Sequence, residues 1–189
     1  MTAFAKPLLF LLCLVPLARL FYLGFIDGLG ANPIEFVTRS LGTWALNFLL
    51  ITLAITPLRK LTGNGKWLRY RRMLGLFAFF YAALHLTSYL WFDQFFDWYE
   101  IWKDIVKRPF ITVGMFSFML LAVLAATSTH RAIKALKGNW QRLHRLVYPA
   151  AIAAVVHYFW LIKLDLTQPV LYAVILFLLL AARLPMLNR

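Results

Sequence analysis

Acid is what this chain has least of. Seven Asp and Glu stand against twenty Lys and Arg in 189 residues, and charged residues of both signs make up only 14%. A water-soluble domain carries about 25%, so the chain lacks the polar surface to be one. Cys13 is the sole cysteine, which excludes an intrachain disulfide, a CxxC pair and a cysteine-held cluster. No GxGxxG or Walker sequence occurs, so a nucleotide-using dehydrogenase would be a different polypeptide. HxxxH and HExxH spacings are missing too, against a zinc site. The net charge of +13 is of a size that nucleic-acid binders carry. Here the cations cluster between apolar runs, where they set membrane topology instead, and no nucleic-acid partner is expected.

What is present is apolar length. Hydrophobic residues make up 62% of the chain, and the mean hydropathy is +0.73. Six runs of membrane-spanning length are expected, at about 8–26, 41–58, 73–92, 110–127, 146–164 and 169–187. GLGANP, LTGNG and DQFFDWYE punctuate the first three, and the four residues Asp165 to Gln168 fold the last two into a hairpin. The runs do not alternate as barrel strands would. The first is too long for a signal-peptide core and reads as a retained helix. The expectation is an all-α integral membrane bundle of six transmembrane helices, a single domain over residues 1–189.

Charge orients it. With the N-terminus inside, fourteen Lys and Arg fall on the inner side, ending with Arg183 and Arg189. Five fall outside, namely Arg39, Lys103, Lys107, Arg108 and Lys163. All seven acids also fall outside. The lysine and arginine count decides for N-in/C-in. Outside, DQFFDWYEIWKDIVKR (93–108) mixes aromatics with acids in a partly helical pattern. It reads as an interfacial helix within an aromatic belt, and equally as a docking surface for a soluble partner.

Histidines carry the chemistry. His85 and His157 lie in the third and fifth runs, thirteen and twelve residues beyond Arg72 and Arg145. Both runs head outward, so the two imidazoles reach matched depth. Imidazoles in lipid need partners, and a pair on two helices suits ligation of one low-spin haem iron from both sides. The plain alternative is two unrelated histidines bonded to backbone or hydroxyls. His144 lies at the inner end of the fifth run, where it is either solvated or the ligand of a second, inner cofactor. Thirteen residues separate it from His157, which on a straight helix puts the two about 140° and about 20 Å apart. Pro149 between them is a place for a bend. His130 has no partner at matched depth and reads as solvent-facing.

Arg19 is a charge inside the first run. It either snorkels to the outer headgroups or meets a haem propionate, for which guanidinium geometry is suited. Arg39, at the outer mouth of the second run, is a similar candidate. At the inner end, Arg71, Arg72, Arg142 and Arg145 are placed to neutralise haem propionates or a flavin phosphate.

The ordered set TPLRKL (56–61), YRRMLGL (70–76), LH (84–85), KRPFITVG (107–114), WQRLHRLVY (140–148) and HYFW (157–160) resembles the MsrQ (YedZ) family of haem-binding membrane subunits. That family lies within the ferric-reductase-like transmembrane superfamily. The resemblance implies a b-type cytochrome of the bacterial inner membrane, holding one or two haems b on His85, His144 and His157. It implies electron delivery to a periplasmic molybdoenzyme, MsrP, that reduces methionine sulfoxide in oxidised proteins. It also implies FMN, with the quinone pool or a cytosolic flavin reductase as donor. The superfamily places two histidines on each of two helices, and here Arg71 stands at the fourth position. Two other classes remain open on the residues alone: a self-sufficient ferric or quinone reductase, and a non-redox membrane protein with incidental histidines.

Overall fold

The computed structural model describes residues 4–162 and 165–183, and among them it contains nine α-helices and no strand. They are α1 (Ala5–Phe25), α2 (Pro33–Thr62), α3 (Leu68–Ser88), α4 (Trp98–Lys107), α5 (Pro109–Ala126), α6 (His130–Leu136), α7 (Gly138–Leu143), α8 (Val147–Leu161) and α9 (Thr167–Ala181). A 3₁₀ turn, Gly65–Trp67, leads into α3, and a π turn, Tyr89–Asp93, extends it. Four of these segments are long and apolar enough to cross a membrane: Ala5–Phe25, Pro33–Thr62, Gly65–Asp93 and Pro109–Ala126.

The two remaining expected runs, 146–164 and 169–187, correspond to α8 and α9. Each has fifteen described residues, or about 22 Å. Residues 163–164 and 184–187 lie outside the described part, as do Lys163 and Arg189. Towards its start, the fifth run is not one continuous helix. His144–Leu146 tightens into a 3₁₀ turn before α8 begins. Pro149 is the third residue of α8, where a missing N–H costs nothing, so Pro149 does not bend a longer helix as its position between the histidines had allowed.

Helix ends follow local chemistry. Pro33 opens α2, whose cap Asn32 accepts from the Glu35 amide at 3.2 Å while its own amide donates to the Glu35 carboxylate at 2.9 Å. The first bond satisfies a backbone N–H that a helix start leaves free, and the second, between side chains, holds the cap in place. Gly63, at φ +65°, ends α2 in the left-handed conformation glycine tolerates. Pro109 opens α5. Asp97 caps α4 by accepting from the amides of Tyr99 and Glu100.

The bundle is built from two helix pairs, α2 with α3 and α5 with α8, with α9 against α8 and α2 and with α1 against α3. Leu49, Leu53, Tyr81, Ala78, Ala150 and Ala151 are at most 2% exposed; the small alanines let the backbones approach, as membrane helices require. Tyr81 also ties α1 to the bundle. Its hydroxyl donates to the Cys13 carbonyl at 2.8 Å and accepts from the Leu17 amide at 3.2 Å, entering the α1 ladder beside Pro16. Outward faces carry exposed apolar side chains such as Phe10, Leu12, Val123, Ile152 and Phe177, the surface that lipid covers.

Every acidic side chain of the chain falls at one end of the bundle, Glu35 in the first turn of α2 and the others on the α1–α2, α3–α5 and α8–α9 connections. The opposite end, with the α2–α3 and α5–α8 connections, has only cations.

Candidate cofactor site

A cavity of about 530 Å³ runs between the two helix pairs. Asn32, Glu35, Asp93 and Arg108 line it at the acidic end, and Leu49 and Leu121 line it deeper in the bundle. His85 from α3 and His157 from α8 face each other across it, ring centroids 6.2 Å apart and planes at 70°.

Both rings are held in the same way. His85 donates from Nδ1 to the Thr38 carbonyl at 2.8 Å, and His157 donates from Nδ1 to the Phe110 carbonyl at 2.6 Å. That bond fixes the tautomer and leaves Nε2 as a bare lone pair. Neither Nε2 has a hydrogen-bond partner among the described residues. Each ring also rests on a glycine one helical turn past its carbonyl. A Cβ on Gly42 would stand 3.0 Å from Nδ1 of His85, and one on Gly114 would stand 2.7 Å from Nδ1 of His157. Glycine is therefore required at both places for close approach. Ser88 adds a brace, donating to the His85 carbonyl at 2.8 Å and lying 3.0 Å from the Thr38 hydroxyl.

Arginines stand at the mouth. Arg39 pairs with Glu35 at 2.6 Å and Arg108 with Asp104 at 3.3 Å, and both line the cavity. The sequence marks Arg108 only as an outer cation; the structure places it at the cap of α5, one residue before Pro109, on the cavity lining. Arg19 is exposed on α1 and does not line the cavity.

His144 is elsewhere. It stacks on Trp140 with centroids 3.9 Å apart, and its Nε2 lies 3.2 Å from the Thr127 hydroxyl. Trp140 is fixed in turn by donating to the Thr127 carbonyl at 2.9 Å. Burial, and then the Arg71 guanidinium nearby, push His144 below the ordinary histidine range, so the ring is neutral at pH 7. Arg71 is half-buried at that end; Arg72, Arg142 and Arg145 lie at or near the same connections, and Arg72 is exposed, 3.3 Å from His130. The structure thus brings His85, His157 and Arg39 together, and keeps His144 and Arg71 as a separate group.

The donor set fits haem. Two metal–imidazole bonds of about 2 Å each, plus the reach from each ring centre to its Nε2, span about 6 Å, close to the observed 6.2 Å. A metal held by protein alone needs more ligands, and no group of three or more His, Cys, Asp or Glu occurs among the described residues. A haem brings its own four nitrogens and asks only two of the chain. The apolar walls suit a macrocycle, and the arginines at the mouth suit its carboxylates.

Comparison with known proteins points the same way. Residues 41–155 match the family described as ferric reductase like transmembrane component. A Bordetella pertussis protein named protein-methionine-sulfoxide reductase heme-binding subunit MsrQ is 54% identical over 180 residues, covering 94% of this chain and 87% of that one. A protein of the same name from Herminiimonas arsenicoxydans is 54% identical over 181 residues, 94% and 83% of the two chains. One from Xanthomonas campestris pv. campestris is 55% identical over 157 residues, 83% and 72%.

Proposed function

The chain belongs to the MsrQ family of ferric-reductase-like transmembrane components, and we propose on that premise that it is a haem b-binding electron-transfer subunit of a methionine sulfoxide reductase system. The observation that carries this is the pair of half-buried imidazoles facing each other, each with Nδ1 bonded to a carbonyl and Nε2 turned free.

In this reading His85 and His157 would hold the haem iron, and the Thr38 and Phe110 carbonyls hold their tautomers and make them better donors. Arg39 and Arg108 neutralise the propionates, while Glu35 and Asp104 keep the two guanidiniums at the mouth. Haem held by two imidazoles supplies a low-spin one-electron carrier with no open coordination position for substrate. The chain itself is therefore the conduit of the system rather than its catalytic subunit.

The excess of Lys and Arg at one end orients the bundle, with that end cytoplasmic. The cavity then opens outward, α8 and α9 complete a set of six spans, and both termini face the cytoplasm of a bacterium's inner membrane. The acceptor is a periplasmic catalytic subunit, MsrP, docking on α4, where Trp98, Tyr99 and Trp102 are exposed beside Asp97, Glu100 and Lys103. The quinone pool or a cytosolic flavin reductase supplies electrons. His144 with Arg71 marks the inner end of the path, where a second haem or FMN would shorten the crossing of about 30 Å.

Rapid mixing of the chemically reduced subunit with its periplasmic partner tests the proposal. Reoxidation of the haem that speeds up with partner concentration and with methionine sulfoxide supports it. A reduced haem indifferent to the partner refutes it.

A further inference from the structure

Arg183, which follows α9, is a cation in an unusual setting. It is 3% exposed, at the end of the bundle where the chain has no acid. Its anchorage is traceable to sequence. Pro57 inside α2 lacks an N–H, so the carbonyl four residues earlier, Leu53, has no partner within the helix. Arg183 donates to that carbonyl through Nη2. Through Nη1 it donates to the Tyr148 hydroxyl at 3.2 Å, and its guanidinium lies 5.7 Å from the centre of the Tyr148 ring. These contacts satisfy two nitrogens and leave Nε, fully buried, with no partner among the described residues.

Among the described residues no carboxylate neutralises this charge. A second guanidinium, Arg71, lies within electrostatic reach of Arg183, Tyr148 and His144. All seven acidic side chains lie at positions 27, 35, 93, 97, 100, 104 and 165, on the side of the bundle away from Arg183. Two like charges in a dry setting are costly unless an anion joins them. The other two buried polar side-chain atoms without a partner among the described residues are the Thr56 hydroxyl and the Trp67 indole nitrogen. They belong to the end of α2 and the turn before α3, so all three unpartnered atoms fall at the cationic end.

We infer that Arg183, with Arg71 and Tyr148, forms a binding site for an oxyanion, the carboxylate or phosphate monoester of a small molecule. Guanidinium forks match such groups in geometry as well as in charge. None of the three residues lines the cavity between His85 and His157, so this site is separate from that haem site, and it rests on the reading of Arg71 as the inner end of the path. A flavin phosphate, a haem propionate and a lipid headgroup phosphate share the chemistry.

Paired probes tell these sources apart in the purified full chain. FMN and riboflavin differ by a phosphate; haem and its dimethyl ester differ by the carboxylates. One pair is expected to show binding about tenfold tighter for the anionic member, as charged hydrogen bonds warrant. Arg183→Gln and Arg71→Gln should each remove most of that ratio, and Arg183→Lys should keep part of it. Native mass spectrometry showing a stoichiometric anionic phospholipid, lost in Arg183→Gln, would assign the site to a lipid headgroup. If neither pair discriminates and no phospholipid is retained, the site does not exist. The absorption of the His85–His157 haem, read in the same samples, shows that each variant is folded and reports on the other proposal independently.

Discussion

His85 and His157 are related by a constant step along the chain. Each donates its Nδ1 proton to a carbonyl forty-seven residues upstream, and each lies against a glycine four residues past that carbonyl. The differences 157 − 85, 110 − 38 and 114 − 42 are all 72. Ala78 and Ala150, both fully buried, obey the same step. The helix pairs α2–α3 and α5–α8 are thus two copies of one device for seating an imidazole, set face to face across the cavity.

The glycines give a graded prediction. Gly114→Ala sets a methyl 2.7 Å from the His157 ring and Gly42→Ala sets one 3.0 Å from the His85 ring. Both contacts are to a ring held by a hydrogen bond, so neither can relax without turning Nε2. Haem per protein should fall in both variants and further in Gly114→Ala. Equal, full occupancy in both would mean that the rings are not held as described.

Much of this was legible in the sequence. The apolar runs, the matched depth of His85 and His157, and the charge asymmetry follow from spacing and composition. The seating was not. Glycines inside helices look like packing accidents until each is counted forward forty-three residues to its histidine. Arg183 was counted only as an inner cation, because the carbonyl it serves is freed by Pro57, which is remote in the chain. The separation of His144 from His157 was legible in their spacing, but the 3₁₀ turn at His144–Leu146 that precedes α8 has no strong signal in its residues.

Tyr81→Phe should loosen α1 without emptying the haem site. The change leaves the Leu17 amide and the Cys13 carbonyl without the hydroxyl that bridges them, and unsatisfied groups of this kind cost about 1–3 kcal/mol. Hydrogen exchange at Leu17 and its neighbours should quicken and the midpoint of thermal unfolding should fall, with haem content unchanged. An unaltered exchange rate would show that the bridge is not formed.

On the acidic face, partner docking should depend on the charge of α4. Asp97 caps the helix through its side-chain oxygen, so Asp97→Asn removes charge and retains an acceptor. Combined with Glu100→Gln, it should slow electron delivery to the periplasmic subunit severalfold at low salt and less at high salt, with haem content intact. A rate equal to the unmodified protein's across the salt range would remove α4 from the docking surface.

His144→Ala should separate the two ends of the path. The His85–His157 absorption should stay normal, because His144 does not line that cavity, while reduction by a cytoplasmic-side donor should fall by at least about tenfold. Reduction at the unmodified rate would make His144 a structural residue, stacked on Trp140 and nothing more.

The most direct measurement is the absorption spectrum with haem quantification on His85→Ala and His157→Ala, purified beside the unmodified chain. Joint ligation of one haem by these two imidazoles predicts that either change removes most of the low-spin b-type bands and lowers haem per protein. A full, unshifted spectrum in both variants would contradict it.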